Sequence, residues 1–285
     1  MAAIICSALL LAGCSTLRLA YNSAPQLTWW WIDGYLDFTS EQSPSAREAV
    51  ERWFAWHRQT QLLDYAAWLA SLQPRLAAPT TPEAVCQLFE QIRQKAEPAF
   101  EQAYLHAASL VPQLSPVQLA SLEARYTKNN AEFRRDWLEA DAERRRQRSV
   151  KNAVERFERL YGRLEEPQRR IIEAASRLSP FDAQRSLAER EQRQRNVLQT
   201  LRRWLAERPG PSQALAALRQ LGNGVAAPED TAERAYQQRM STHTCRLSAD
   251  VHNSTGTAQR DAARRQLKEW EDDLRALAND RRAAP

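Results

Sequence analysis

Glycine is scarce in this chain, with seven in 285 residues. Loops that cradle phosphate need glycine where the backbone must approach a ligand closely, so this scarcity argues against a nucleotide-binding loop. Alternating Val/Ile/Thr runs bounded by turn residues are also missing, and with them any sign of a sheet. No His-Glu-x-x-His helix, no Cys-x-x-Cys pair and no strand-turn-helix nucleophile elbow occurs. What dominates instead is Ala, Leu, Arg, Gln and Glu, side chains that lose little freedom in a helix. The expected fold is all-α: an elongated multi-helix bundle with one long central helix.

Four cysteines are present, and each has a distinct place. Leu9-Leu10-Leu11-Ala12-Gly13-Cys14 closes an apolar N-terminus too short to span a bilayer as a helix. It resembles a bacterial lipobox. That resemblance makes residues 1–13 a lipoprotein signal peptide and Cys14 the acylated N-terminus. Ser15 follows the cysteine, which by resemblance to sorted lipoproteins implies the outer membrane and a body on its periplasmic face. Cys6 leaves with the signal peptide. Cys86 and Cys245 remain in an oxidising compartment, as a disulfide or as two buried thiols.

Of 40 basic residues, 36 are Arg, and the net charge of +5 is uneven. The excess of positive charge falls between residues 134 and 208. On an exported protein a basic middle does not point to nucleic acid. Anionic lipid, lipopolysaccharide or an acidic client fits better, as does a solvated helix face of mixed sign.

Proline marks helix starts, where its missing N–H costs nothing. Ser43-Pro44-Ser45 opens a helix to about Leu72, with Ser45 and Glu48 spaced as a capping box. Thr81-Pro82 opens a second helix, with Pro98 inside it as a kink and Ala99 and Ala103 alongside. Ser115-Pro116 opens the longest, which would run about 70 Å to Gly162 if continuous. Its middle, residues 139–149, has no large apolar side chain. That makes it a polar helical bridge between an N-terminal bundle (14–138) and a C-terminal bundle (150–285). Helices are expected near 166–177, 180–206, 212–221, 229–250 and 257–278, with Gly210 and Gly222-Asn223-Gly224 as loops. Leu27, Trp30, Trp31, Tyr35 and Phe38 form one helical stripe, and Trp29, Ile32 and Leu36 another. A helix apolar on two faces is a core element or sits partly in a membrane interface.

Three helix starts share a shape: Leu114-Ser115-Pro116-Val117-Gln118, Leu164-Glu165-Glu166-Pro167-Gln168 and Leu178-Ser179-Pro180-Phe181-Asp182. Each places an N-cap group three residues before a Gln or Asp. They resemble the Leu-Thr-x-x-Gln signature of the Spy/CpxP-type periplasmic chaperones, small helical proteins that cradle unfolded clients. Glu165 replaces the hydroxyl and Asp182 the Gln. Taken with the lipobox, the Arg18…Tyr21-Asn22 segment and its Trp-rich continuation, and Gly162-Arg163-Leu164 leading to Gln168, the chain is similar to a family of uncharacterised proteobacterial lipoproteins. That resemblance implies location and architecture, and no activity.

The histidines, His57, His106, His243 and His252, include one cluster near a thiol, His243-Thr244-Cys245 with His252. Nine residues separate those two histidines, which does not stack them on one helix face. No metal, cofactor or catalytic group is expected. Neighbouring carboxylates such as Glu165-Glu166 and Asp272-Asp273 point to different faces of a helix. The expected function is protein binding by a lipid-anchored body, with an unfolded client or an envelope protein as partner. The alternative is a structural or assembly role in an envelope complex, with an enzyme a remote third. Arg144, Arg145, Arg146 and Arg148 are the candidate client-binding residues. Intact-mass analysis of membrane-extracted protein should show loss of residues 1–13 and an acyl mass on Cys14; an unmodified Met1 terminus would remove the basis for the location.

Overall fold

A computed structural model describes residues 16–139, 141–226 and 230–280. Cys14 and the apolar segment before it lie outside the described residues. Within them the chain forms α1 (Thr16–Leu36), α2 (Ser43–Thr60), α3 (Leu62–Leu72), α4 (Pro82–Leu110), α5 (Pro116–Arg134), α6 (Ala142–Tyr161), α7 (Glu166–Arg177), α8 (Ala183–Glu207), α9 (Pro211–Ala226), α10 (Thr231–Asn253) and α11 (Thr257–Asn279). No strand occurs among the described residues. The all-α expectation holds.

The helices are joined at their starts by glutamines. Gln118 occupies the third position of α5, where Oε1 accepts from Ser115 N at 2.9 Å and closes its own cap. Its Nε2 crosses to Asp37 O (3.0 Å) and to Gln42 Oε1 (2.7 Å) in the α1–α2 connection. Gln42 mirrors it. Its Oε1 accepts from Thr39 N at 3.1 Å, and its Nε2 reaches Gln113 O at 3.0 Å, two residues before Ser115. The same arrangement recurs between the starts of α7 and α11. Gln168 accepts from Glu165 N (2.8 Å) and donates to Ser254 O (3.2 Å) and Gln259 Oε1 (2.6 Å). Gln259 in turn accepts from Gly256 N (3.3 Å) and donates to Arg163 O (3.1 Å). Each amide therefore satisfies one backbone donor of its own helix and one carbonyl of the facing loop. Leu114 and Leu164, the residues before the caps, are buried beneath them, as are Gln118 and Gln168 themselves.

Several expectations are corrected. The helix from Pro116 does not run on to Gly162. It widens into a π-turn over Arg135–Glu139, and a new helix starts at Ala142 under an Asp141 cap, whose Oδ1 accepts from Arg144 N at 2.8 Å. With no apolar face to pack, the polar middle turns have nothing to hold one continuous rod, and an aspartate in the N-cap position restarts the helix. The segments on either side of 139–149 also do not pack as separate bundles. α11 lies along α3 and touches α1 and α6, while α4 packs against α2, α9 and α10. One core cluster joins Ala108, Leu119 and Leu122 to Leu198, Leu201 and Trp204. Shared apolar burial of this kind makes the two segments one packed body.

The Gly222-Asn223-Gly224 run is helical, inside α9. A Cβ on Gly222 would lie 2.1 Å from the Tyr104 hydroxyl, so the glycine permits α9 to close on α4. The expected helix over 43–72 divides at Gln61 into α2 and α3. Its start is governed by Thr39 and Gln42 and not by Ser45 and Glu48. The third motif does not open a helix at Pro180. Asp182 is itself the cap of α8, accepting from Arg185 N at 3.0 Å, and Leu178 is exposed.

Replacing Gln168 with Ala strands a buried carbonyl and a cap N–H. We expect Gln168→Ala to lower unfolding free energy by about 3 kcal/mol in urea denaturation, against under about 0.5 kcal/mol for an exposed Gln such as Gln184.

Candidate functional site

A largely apolar cavity of about 550 Å³ lies between α1, α2 and α4. That volume falls within the range of sites that take small molecules or large side chains, about 300–1,000 Å³. α4 lines it with a stripe of small residues, Ala96, Ala99, Ala103 and Ala107, and α2 adds Ala46 and Ala49. α1 closes it with Trp29, Ile32 and Leu36. Small side chains on facing helices usually let the helices meet. Here Trp53, Phe54 and Phe38 stand between them and hold the space open. No Asp, Glu, Lys or Arg lines it.

The cavity wall is fixed by aromatic donors on either side of Pro98. Trp53 Nε1 donates to Ala99 O at 2.9 Å, and the Tyr65 hydroxyl donates to Lys95 O at 3.1 Å. Proline lacks an N–H and disturbs the helix ladder at this turn, so nearby carbonyls are available to side chains.

His57 is the polar centre of the wall. Its ring stacks on Trp53 with centroids 4.8 Å apart, and its Nδ1 lies 2.8 Å from the Tyr21 hydroxyl. Burial lowers the His57 pKa to about 4. Burial also raises Tyr21 to about 12, against the opposing charge of Arg58. Both are therefore neutral at pH 7, so Tyr21 donates and His57 accepts. Arg58 is itself buried, 5.1 Å above the Tyr21 ring, and donates to Asn22 Oδ1 (2.8 Å) and Leu277 O (3.0 Å). This links the wall to the C-terminal end of α11. His106, the other histidine on the cavity, is also lowered, by burial and by the charge of Arg52. The cavity is therefore uncharged in its titratable groups as well as in its composition.

The remaining sequence candidates fall elsewhere. Cys86 and Cys245 are disulfide-bonded across 159 residues, joining α4 to α10 beside Val85 and Ala249. Cys245 is thus no metal ligand, and His252 is occupied by the Tyr161 hydroxyl (2.8 Å) and by Ala78 O (2.9 Å). Among the described residues no group of three metal-ligating side chains is gathered. The arginine cluster does not converge on one point. Arg144 pairs with Asp141 at 3.0 Å, Arg146 with Glu143, and Arg148 with Asp136 at 3.0 Å while lying over the Trp137 ring. Arg145 lines an open groove with Trp137 and Phe181. These contacts mute the positive charge that the sequence suggests. Asp272 and Asp273 diverge as expected, the first exposed toward Lys268 and the second buried against Arg18 at 3.3 Å. Among the described residues no helix is long and apolar enough to cross a membrane.

These features define an all-helical protein with an uncharged cavity between its first, second and fourth helices. The chain belongs to a family of unknown function, DUF6279, whose family model matches residues 34–225. That stretch holds α2 and α4 of the cavity and three of the four paired glutamines, but not Gln259 or Cys245. No curated protein and no solved structure matches the chain.

Neither the cavity nor the Tyr21–His57 pair is legible in the sequence as a site, because each joins residues from separate helices. The one usable signal is the spacing of alanines around Pro98. Because the folded pKa of His57 lies below that of an unfolded histidine, its stabilising effect is present above about pH 6.5 and is lost as pH falls through about 4. Urea denaturation should show His57→Gln losing on the order of 2 kcal/mol less than the parent chain between pH 7 and 4.5.

Proposed function

We propose that this protein is a lipid-anchored lipoprotein of the outer membrane, on its periplasmic face, and that it acts by binding protein rather than by catalysis. The cavity between α1, α2 and α4 is the binding site in this reading, taking apolar side chains of an unfolded client or of an envelope partner. The observation that carries it is the cavity's chemistry. It offers about 550 Å³ of largely apolar space with no Asp, Glu, Lys or Arg in its lining, which suits burial of apolar groups.

Two further features support it. The Leu-Ser-x-x-Gln opening of α5 resembles the signature of the Spy/CpxP-type chaperones, and its glutamine joins one loop to another at the end of the cavity-bearing helices. Exposed Phe100, in the cavity wall, and exposed Ile92, one turn beyond Ala96 on the same face of α4, extend the apolar surface along the helix. A client segment would meet a continuous strip, not an isolated hole.

The test is suppression of aggregation of a reduced, unfolded client by purified protein at equimolar ratio. Activity is expected in the parent chain and a several-fold loss in Ala103→Trp, which fills the cavity from α4, with helicity unchanged. No suppression by the parent chain would defeat the chaperone form of the reading. Suppression unaffected by Ala103→Trp would place the binding site elsewhere.

A further inference from the structure

α1 has two faces with different fates. Trp29, Ile32 and Leu36 turn into the cavity, whereas Leu19, Leu27, Trp30 and Trp31 are exposed, the two tryptophans at 60% and 63%. Between them on the outer face are Thr16, Ala20, Ser23, Gln26 and Gly34. That face is about 30 Å long and carries no charge, in a chain of which 26% is charged. The two charged residues of α1 are engaged. Arg18 meets Asp273 at 3.3 Å, and Asp33 caps the helix end by accepting from Phe38 N at 3.1 Å.

We infer that this outer face of α1 lies in the headgroup–acyl boundary of the bilayer, with the helix along the membrane plane. Three observations select a lipid surface. First, the composition suits it. Tryptophan and leucine alternate with small uncharged polar residues, so the face enters the boundary without desolvating a charge, and indole rings favour that depth. Second, exposed cations lie beside the helix. Arg47 lies over the Trp29 ring at 4.5 Å and Arg125 over the Tyr35 ring at 5.3 Å, both along the C-terminal half of α1. Neither is ion-paired with a carboxylate among the described residues, so both are placed to meet lipid phosphate. Third, α1 starts two residues after Cys14. The inference rests on the lipid-anchor reading for this third point only.

One helix would then be both the membrane contact and a wall of the cavity. That sets the cavity about one helix diameter, ~10 Å, from the lipid.

The test uses protein extracted from membranes and reconstituted into vesicles of phosphatidylcholine and phosphatidylglycerol brominated near the headgroup end of the acyl chains. Bromine should quench the emission of two of the nine tryptophans, and Trp30→Ser/Trp31→Ser should abolish that quenching while leaving the rest of the emission. In a second measurement the full chain carrying Cys14→Ser should sediment with the same vesicles unbrominated, and Leu19→Glu/Leu27→Glu should weaken that partition at least tenfold. Absence of quenching, or equal quenching in the double tryptophan variant, overturns the inference. So does a dimer, seen by sedimentation velocity, that shields Trp30 and Trp31 from the lipid. Failure to find an acyl mass on Cys14 is a separate outcome: it would remove the anchor and leave the vesicle measurements to decide the surface.

Discussion

The fold depends on glutamine amides used twice over. A helix start leaves backbone N–H groups without partners, and a loop that passes nearby leaves carbonyls in the same condition. Gln118 and Gln42 each answer one of both kinds, and Gln168 and Gln259 repeat the arrangement at another corner. A primary amide is the one small side chain with an acceptor and two donors in a plane, so glutamate or lysine could not make the same set. Each pair fixes two loops at once. The first holds the α1–α2 turn against the α4–α5 turn, which sets the three helices around the cavity. The second holds the α6–α7 turn against the α10–α11 turn, and thereby the last helix of the chain.

The cavity follows from that framework combined with a mismatch of side-chain sizes. An alanine stripe on α4 facing alanines on α2 would normally produce close contact. Trp53 prevents it, held upright by its bond to Ala99 O and by the His57 ring stacked on it. His57 is in turn fixed by Tyr21, and Tyr21 by its burial under Arg58. The neutral Tyr21–His57 pair thus stands between the apolar wall and the charge of Arg58. The second Tyr–His pair, Tyr161 with His252, serves the other end of the molecule in the same way, holding α6, α10 and the turn at Ala78 together.

Helix starts were legible at Thr81 and Ser115, where a proline follows a capping residue, because capping is local chemistry; the same pair at Ser179-Pro180 opens no helix. What the caps bond to across the molecule was not legible. Gln118 reads as a capping residue in the sequence, and its contact with Gln42 spans 76 positions. The Phe38-Thr39-Ser40-Glu41-Gln42 stretch has the same spacing and lacks the proline that marks the others. The break at Asp141 was missed for a related reason: an aspartate between charged residues reads equally as helix surface or as a cap. Burial of only one of three consecutive tryptophans was also beyond the sequence. Helical spacing separates Trp29 from Trp30 and Trp31 but does not say which side faces the cavity. The site was least visible of all, since a stripe of alanines describes a tight contact and an open space in the same letters.

The disulfide and the placement of α11 bear on how such a chain can be made. Cys86 waits for Cys245, Arg58 on α2 waits for Leu277, and Arg18 on α1 waits for Asp273. A polypeptide emerging from the ribosome amino end first would present the first helices long before the partners that complete them. The early half would stay unfinished, with its apolar strip uncovered, until the final turns emerged. Assembly of this molecule is therefore a closing event at the end of delivery, and truncation near the carboxyl end would be felt first at the helix nearest the other terminus.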